Sequence, residues 1–249
     1  MKPEQLLPIL SVSPHQIAPR ALVVGDPQRA ARAAGMLDRP EQVGKNREYL
    51  TFTGAYAGTQ LTIASHGIGG PAASVCFSEL FQAGVHTVIR AGTCGALVES
   101  IEDGQLILAT GAIREDGTSP NLIPLAYPAI AHRHIIQALE GSAADRGLEA
   151  LPTGVVLTQS YLYPAVLPST TDLWMQAGAV CVEMELATLL VMAGLNGLRA
   201  GGIFTSDGNL ARRRDPEVDP STYDPHREIV SQGIDTMLRI ALDALARLS

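Results

Sequence analysis

Short apolar runs alternate along the chain with stretches of helical composition. Runs of strand length occupy residues 21–25, 87–92, 105–113, 154–159 and 199–207, and a further strand enters the segment AVCVEME. Two strand-like runs, EYLTFTGAY and TQLTIASH, meet at Gly58 and predict an antiparallel hairpin. This alternation predicts an α/β fold with a central mixed sheet.

The segments between the strands have helical composition and end at glycines. They are PQRAARAAGML, GGPAASVCFSELFQAGV and LATLLVMAGLNG. Near the carboxyl end, apolar residues recur with helical spacing and predict an amphipathic helix that packs on the sheet: Ile234, Met237, Leu238, Ala241, Leu245 and Leu248. The polar stretch 208–225 predicts a mobile loop beside the functional site. We therefore expect a single domain over residues 1–249.

Composition narrows the class of protein. The 249 residues are 46% apolar, enough for a sizeable core, and the formal net charge of −7 argues against a nucleic-acid surface. Apolar runs fall short of the roughly 20 residues that span a membrane, and the amino-terminal segment does not resemble a secretory signal. Three widely spaced cysteines, Cys76, Cys94 and Cys181, favour buried thiols in a reducing compartment. These features predict a cytoplasmic protein without a membrane partner.

Glycine-rich turns follow two of the predicted strands and can offer backbone N–H groups to an anion. In GDPQR, Gly25 ends a strand, Pro27 opens a helix, and Arg29 lies one turn further on. The segment SHGIGGPAAS, residues 65–74, forms a second such turn before a helix. Turns need glycine in any case, so each motif alone is weak evidence for a site.

The turn RAGTCGA, residues 90–96, adds a cation and a hydroxyl group. Arg90 lies on the strand and Thr93 in the turn, and the glycines, including Gly95, let the backbone approach a ligand closely. Guanidinium groups bind phosphate oxygens in pairs, so Arg29 and Arg90, with Arg47 in KNREY, indicate a phosphate site. The alternative for each arginine alone is a structural or solvated salt bridge.

Carboxylates also follow predicted strands. Glu183 and Glu185 flank Met184 at a strand-to-helix junction, where a carboxylate can accept hydrogen bonds from the vicinal hydroxyls of a sugar. Acids in the first turn of a helix are favoured equally by its dipole, so both interpretations stay open. Asp207 ends the apolar run LRAGGIFTSD, at the strand end where open α/β sheets bind ligands. Its alternative role is to cap a turn.

Taken in order, these motifs resemble one family. GDPQR, NRE, HGIGGP, IRAGTCGA, VEMELATLL and GLRAGGIFTSD have the order and separations of the nucleoside phosphorylases, which comprise uridine phosphorylases and hexameric purine nucleoside phosphorylases. The resemblance covers about residues 20 to 245, and REDGTSP and IPLAYPAIAH are most similar to the uridine branch. It implies a twisted mixed sheet surrounded by helices in three layers, and a homohexamer built as a trimer of dimers.

The resemblance also implies an activity. A nucleoside and inorganic phosphate, the co-substrate, give a free base and ribose 1-phosphate, with no metal or organic cofactor. By similarity, phosphate is bound at the glycine-marked turns and by an arginine from a neighbouring subunit: Gly25, Arg29, Arg90, Thr93 and Arg47. Ribose is bound at the strand-to-helix junction by Met184 and Glu185, with Glu183 close by.

The catalytic roles implied by the resemblance fall on Arg90, Glu185 and Asp207. Phosphate and a carboxylate stabilise an oxocarbenium-like sugar. In the purine branch an SD pair supplies the acid that protonates the purine ring nitrogen, and Ser206-Asp207 matches this pair where uridine phosphorylases commonly have asparagine. Bound phosphate and a glutamate would raise the pKa of such a carboxyl group and keep it protonated at neutral pH. The family's assisting arginine is not assigned, although RRR follows at 212–214.

The base pocket departs from the uridine branch. The resemblance assigns base binding to Gly95, Leu162, Tyr163 and Asp207. Uridine phosphorylases read uracil with a glutamine and an arginine, and aligning the family tyrosine with Tyr163 places Val166 and Pro168 there. Since neither side chain can form a hydrogen bond, we expect a purine preference. The alternative is a uridine phosphorylase with unusual uracil recognition.

Further departures concern a histidine and a cation. The family's amino-terminal histidine has no clear match, and His66 is interpreted as structural. The uridine branch can hold a potassium ion between subunits, and Glu48 and Ile68 match two of its ligands, but Ala72 replaces the serine. A nucleosidase remains a rival, although that class lacks the paired arginines. A non-catalytic nucleoside-binding relative is the second rival.

Overall fold

Ten strands join one mixed sheet in the structure, a computed structural model that describes residues 5–163, 165–212 and 224–248. The strands are β1 (Arg20–Val24), β2 (Asp38–Asn46), β3 (Tyr49–Tyr56), β4 (Thr59–Ser65), β5 (Thr87–Ala96), β6 (Leu106–Glu115), β7 (Ala129–Ile130), β8 (Thr153–Gln159), β9 (Cys181–Glu183) and β10 (Arg199–Asn209). The helices are α1 (Pro27–Ala34), α2 (Gly70–Gln82), α3 (Ser119–Leu122), α4 (Arg133–Ala144), α5 (Thr171–Gln176), α6 (Leu186–Leu195) and α7 (Glu228–Arg247).

The sheet closes on itself at one side and stays open at the other. Its order is β10-β6-β8-β9-β5-β1-β4-β3-β2, with β7 beside β6, and β10 also pairs with β5. The five strands β5, β10, β6, β8 and β9 therefore form a closed ring of pairings. Strands β1 to β4 extend from β5 as an open wing, in which β1, β4 and β5 are parallel and the β2–β3–β4 meander is antiparallel.

Helices cover both faces of the sheet and give the predicted three layers. One core cluster joins the sheet to α2 and α6 through residues such as Phe77 and Leu189. A second cluster, on the other face, joins it to α1, α4 and α7 through residues such as Ala33, Leu139 and Leu238. The α/β prediction is thus confirmed, and the carboxyl-terminal apolar face lies buried as its spacing predicted.

The predicted hairpin is also confirmed, since β3 and β4 pair from Thr51↔Ala64 to Tyr56↔Thr59. The pattern gave no strand at β2, whose residues are mostly polar and exposed, because β2 is an edge strand that pairs only with β3. Among the described helices, none is long and apolar enough to span a membrane. The predicted 208–225 loop starts late, because Gly208 and Asn209 belong to β10, and its residues 213–223 lie outside the described part of the chain.

The parallel strands bring their carboxyl ends to one edge of the sheet. Register pairs Val23 with Arg90 and Val24 with Ser65, so the turns after β1 and β4 lie beside the carboxyl half of β5. On the other side of β5, Thr93 pairs with Thr205 of β10. The glycine-marked turns and the end of the last strand, which the sequence singled out separately, therefore share one edge.

Candidate active site

Arg90 lies at the centre of this edge and is only 3% exposed. Its Nε donates to Glu183 Oε2 at 3.0 Å, Nη2 forms ion pairs with Glu183 and Glu185, and Nη1 lies 3.1 Å from His66 Nε2. The guanidinium also lies 5.4 Å from the ring centroid of Phe204. These contacts leave one N–H of Nη1 without an acceptor among the described residues, and it can donate to a ligand.

The backbone at Gly92 makes room for this guanidinium. A Cβ atom added at Gly92 would lie 3.0 Å from Arg90 Nη2 and 3.1 Å from its Nη1 and Cζ. A side chain at Gly92 would therefore require the Arg90 guanidinium to shift by a few tenths of an ångström. Gly92 is thus favoured because it leaves space for the Arg90 side chain, and not because its backbone has a positive φ.

Glu183, on β9, is saturated by donors from the protein. Oε1 accepts from Thr158 Oγ1 at 2.5 Å and from the Leu186 backbone N–H at 3.1 Å, and Oε2 accepts from Arg90 and from the Glu185 backbone N–H at 2.9 Å. A carboxylate that receives N–H groups from the first turn of α6 stabilises the start of that helix. The geometry therefore favours the first-turn interpretation for Glu183, whose effect on a sugar would act through Arg90.

Glu185 keeps capacity to accept hydrogen bonds. Oε1 accepts from the Gly69 backbone N–H at 2.5 Å and Oε2 from Arg90 Nη2. A carboxylate has about four lone-pair positions, so about two remain for a ligand. Burial raises the pKa of Glu185, and Glu183 raises it further, against the lowering effect of Arg90. Met184, between the two glutamates, is partly exposed at the same junction.

The pKa of Arg90 is also raised, but by its carboxylate partners rather than by burial. Burial alone would lower the pKa of its guanidinium, but the carboxylates of Glu185 and Glu183 outweigh burial and raise it. Arg90 is therefore a permanent cation in the interior, which is tolerated because its carboxylate partners are hydrogen-bonded to it.

Arg29 lies within electrostatic range of both Arg90 and Asp207. Burial lowers the pKa of Arg29; Asp26 opposes this, Arg90 lowers it further, and Asp207 opposes again. Asp207 is 9% exposed, and its backbone carbonyl accepts from Arg227 Nη2 at 3.2 Å. The same carboxylate contributes to the raised pKa of the buried Cys94 thiol, after burial and Cys181. Three residues predicted from separate strands are thus brought together.

The two glycine-marked turns complete the edge. The side chain of Asp26 accepts from the Gln28 backbone N–H at 2.8 Å and caps α1, which places Gly25 and the helix amino terminus at the site. Thr93 is partly exposed on β5. Beside it, a Cβ atom at Gly95 would overlap the side chain of Leu210, so Leu210 covers this glycine.

Comparison with known proteins identifies the family. Residues 19–246 match the family model described as the phosphorylase superfamily. The chain belongs to this superfamily. A relative named guanosine phosphorylase, from Halorubrum lacusprofundi, is 36% identical over 241 residues, which cover 97% of this chain and 98% of that protein. The uridine phosphorylase of Treponema pallidum is 34% identical over 218 residues, or 84% of each chain.

A solved structure agrees with both. The purine nucleoside phosphorylase of Toxoplasma gondii, in complex with immucillin-H, superposes with a TM-score of 0.91 at 30% identity and covers 99% of this chain and 97% of that one. The predicted recognition as a nucleoside phosphorylase is confirmed, and with it the enzyme class, because these relatives are pentosyltransferases. Relatives of the purine and the uridine type both match the chain.

Other positions that the resemblance assigns to the base or to its readers are far more exposed than Asp207. Leu162 is 65% exposed, Tyr163 82% and Val166 96%, and Pro168 is also exposed. Glu115 binds residues that follow these positions in the chain. Its carboxylate accepts from Trp174 Nε1 at 2.7 Å and from the Thr170 hydroxyl. The described chain places these residues after β8 without packing their side chains into a pocket.

Arg47 is likewise set apart from the other predicted phosphate ligands. It is exposed at the β2–β3 turn with a φ of 51°, and among the described residues its guanidinium forms no hydrogen bond or ion pair. Because β3 begins beside the end of β4, this turn lies at the same edge as the site. Of the three arginines, the fold thus brings Arg29 and Arg90 together and leaves Arg47 facing outwards.

One of the three residues matched to the family's potassium site lacks the side-chain oxygen of the family's serine. Ala72 has no side-chain oxygen, and its backbone carbonyl accepts from Tyr49 Oη at 3.1 Å. The Glu48 carbonyl accepts from Ser65 Oγ at 2.6 Å. Among the described residues, no cluster of histidine, cysteine, aspartate and glutamate could hold a metal ion.

Sequence reasoning missed two participants in the Arg90 network. Thr158 lies one residue before the end of β8 and links Glu183 to the Ala187 backbone N–H. Its position near the end of a predicted strand was the available signal. His66, interpreted as structural, contacts Arg90 directly. Its place in the glycine-rich turn after β4 was visible in the sequence, but its partner was not.

Proposed function

We propose that this phosphorylase cleaves purine ribonucleosides with inorganic phosphate, with Asp207 as the acid that protonates the base. The observation that carries the proposal is the buried Asp207 carboxylate at the end of β10, within electrostatic range of Arg29. A carboxyl group there can serve a leaving base, while the arginines serve an anion on the sugar side. The name of the Halorubrum relative, guanosine phosphorylase, agrees with a purine substrate.

In the proposed reaction, phosphate is bound by the Gly25 turn, Arg29, Arg90 and Thr93, and a phosphate oxygen attacks C1′ of the ribose. The C1′–O bond forms as the C1′–N bond breaks, and the bonding electron pair goes to the base nitrogen. Asp207 donates its proton to the purine ring. Phosphate and the Glu185 carboxylate stabilise the positive charge that develops on the sugar.

The ribose hydroxyls are assigned to Glu185 and Met184. Glu185 has acceptor positions left after its bonds to Gly69 and Arg90, whereas Glu183 has none. We therefore assign Glu183 the role of holding Arg90 and the start of α6. The reaction requires no metal or organic cofactor, since the anion and the acid supply all the charge stabilisation it needs.

Arg47 supports an oligomeric enzyme. An outward-facing arginine at the edge of the site fits the role of completing the phosphate site of an adjacent subunit, which requires at least a dimer. We propose the homohexamer built as a trimer of dimers, acting in the cytoplasm, where its free thiols stay reduced. Light scattering combined with size exclusion measures the mass, and a monomeric active enzyme would contradict this assignment.

The decisive experiment measures base release from guanosine, inosine, adenosine, uridine and thymidine, with and without phosphate, by the wild type and Asp207→Asn. We expect phosphate-dependent cleavage of the purine nucleosides, reduced about 100- to 10,000-fold in the variant. Asp235→Asn, which changes the same group in a surface pair with Arg32, is the matched control.

Two other outcomes would change the assignment. The uridine phosphorylase from Treponema makes uridine the second candidate. Cleavage of uridine that Asp207→Asn leaves intact would show that uracil is read by other groups. Base release without phosphate would identify a nucleosidase, and no release from any nucleoside would favour a binding protein.

A further inference from the structure

The imidazole of His66 is fully buried between the Gly25 turn and Arg90, both of which the proposed function assigns to phosphate. Its backbone N–H donates to the Val24 carbonyl at 2.9 Å, and the next N–H, of Gly67, donates to Gly25 at 3.0 Å. These bonds fix the β4–α2 turn against the β1–α1 turn. A Cβ atom added at Gly25 would lie 3.8 Å from His66 Cε1, so the ring packs directly beside the first phosphate turn.

The hydrogen bonds of the ring determine where its proton lies. Nδ1 is 2.9 Å from the Gly67 carbonyl oxygen, which can only accept, so Nδ1 carries the proton. Nε2 then presents a lone pair, and it accepts from Arg90 Nη1 at 3.1 Å. Burial lowers the pKa of His66 well below its usual range, and the charges of Arg90 and Arg29 lower it further. The ring is therefore a neutral acceptor.

A neutral acceptor suits this position for an electrostatic reason. Glu183 and Glu185 hold the Nε and Nη2 side of the guanidinium, and His66 is the contact described for Nη1. A third carboxylate would also orient Nη1, but it would cancel the positive charge that an anion needs. An imidazole lone pair directs the group without adding negative charge.

We propose that His66 is a positioning residue for phosphate: its Nε2 lone pair aims the second Nη1 N–H of Arg90 toward the anion bound at the Gly25 turn. The inference rests on the proposed function, because phosphate is the anion concerned. It gives His66 a specific part in the reaction without contact with substrate. Loss of one oriented bond to a charged donor should raise the KM for phosphate about 10- to 100-fold.

Two substitutions separate the acceptor from the rest of the ring. His66→Asn keeps a polar group near Nδ1, where it can donate to Gly67, but has nothing at Nε2. His66→Gln places an amide oxygen close to the Nε2 position, where it can accept from Arg90. We expect His66→Asn to raise the phosphate KM about 10- to 100-fold with little change in the nucleoside KM, and His66→Gln to recover most of the loss.

Phosphate affinity measured by calorimetry, without nucleoside, tests the same inference when turnover is absent. A wild type that binds phosphate but releases no base would overturn the proposed activity and leave the His66 comparison intact. The inference itself is overturned if His66→Asn binds phosphate as the wild type does, if both KM values rise together, or if glutamine is no better than asparagine.

A measurement on the unsubstituted enzyme covers the case in which either variant fails to fold. Nitrogen NMR of the histidine rings distinguishes protonated from unprotonated nitrogens. We expect His66 Nε2 to be unprotonated at neutral pH and its resonance to shift when phosphate is added. A protonated Nε2, or a resonance that phosphate leaves unchanged, would contradict the proposal.

Discussion

The sugar-phosphate side of the site and the base side are built in different ways. Arg90, Glu183 and Glu185 are each less than 5% exposed and are hydrogen-bonded to one another or to backbone groups. On the base side, Leu162, Tyr163 and Val166 are between 65% and 96% exposed. The Arg90 cluster thus belongs to the folded core, whereas these three side chains lie at the surface; Asp207, the acid proposed for the base, is buried like the cluster.

This difference separates two requirements of a nucleoside phosphorylase. The residues proposed for cleavage are part of what holds β5, β9 and α6 together, so most changes there also cost stability. Side chains of the base segment contribute little packing, so they can change with little effect on the fold. Relatives of the purine and the uridine type on one scaffold are what such a division allows.

The largest effect is expected from Arg90→Met. The variant would leave two buried carboxylates without their cation, which typically costs about 3–5 kcal/mol of unfolding free energy. Activity should fall at least about 100-fold, since a donor to the developing charge is lost. Urea unfolding followed by circular dichroism measures the first effect, and base release the second.

Arg212→Met is the matched control for this substitution. Arg212 pairs with Glu102 at the surface, which raises the pKa of the guanidinium and lowers that of the carboxyl group. Its loss should leave the unfolding midpoint unchanged, because exposed pairs contribute little. Equal midpoints for the two variants would mean that the Arg90 network is not part of the core.

A smaller effect is expected when the missing uracil readers are supplied. Val166→Gln combined with Pro168→Arg would add a hydrogen-bonding amide and a guanidinium to the base segment. We expect the ratio of kcat/KM for uridine to that for inosine to rise about tenfold, with little change in stability. The control pair is Val166→Leu with Pro168→Ala. An unchanged ratio would mean that base choice depends on residues outside this segment.

The sequence predicted most elements that pack through a clear apolar pattern. The strands around β5 were found because they are continuous apolar runs, and the helix α7 because its buried residues recur with helical spacing. Strand β2 was missed because a polar edge strand is defined by its partner rather than by its own residues. Helix α4 was also missed, although Ile135, Leu139 and Ala143 recur every four residues on its buried face.

The sequence predicted which residues lie at the site, but it did not predict which of them form hydrogen bonds with one another. Residues at strand ends could be named from motifs, since carboxyl ends of parallel strands converge. Glu183 is saturated by hydrogen-bond donors of the protein, whereas Glu185 keeps acceptor positions for a ligand. This difference depends on which donors reach each carboxylate, and that is fixed by the backbone register of the strands. The contact of His66 with Arg90 joins residues 24 apart and exists only because β4 and β5 both flank β1.

The pH dependence of stability tests whether the buried side behaves as one unit. The pKa of His66 is well below 6.5 in the folded state, because of burial and of the cations Arg90 and Arg29, with Phe77 packed against the ring. Unfolding lets the ring take up a proton, so the stability it confers is present above pH 6.5 and lost as pH falls below it.

The wild type should therefore lose up to about 1.4 kcal/mol per pH unit below 6.5 relative to His66→Gln. Denaturant unfolding between pH 7.5 and about 5 measures the difference between the two proteins. His15→Gln changes an exposed histidine and should follow the wild-type curve. Parallel curves for the wild type and His66→Gln would show that the ring takes up its proton at the same pH in the folded and the unfolded protein.

The smallest effect on stability is expected from Tyr163→Ala on the base side. With 82% of Tyr163 exposed, its removal should change the unfolding free energy by no more than about 0.5 kcal/mol, as should the control Leu6→Ala. The KM for nucleoside should nevertheless rise about 2- to 10-fold, because the contact with the base that the resemblance assigns to Tyr163 is lost. A loss of stability above about 1 kcal/mol, well beyond the range for exposed sites, would instead show that Tyr163 is covered in solution.

A neighbouring subunit is the cover that the proposed oligomer provides, and the loss of stability should then depend on protein concentration. In that case the contrast between the two sides would belong to the isolated chain, and base recognition would be shared between subunits in the same way as the phosphate site that Arg47 is proposed to complete.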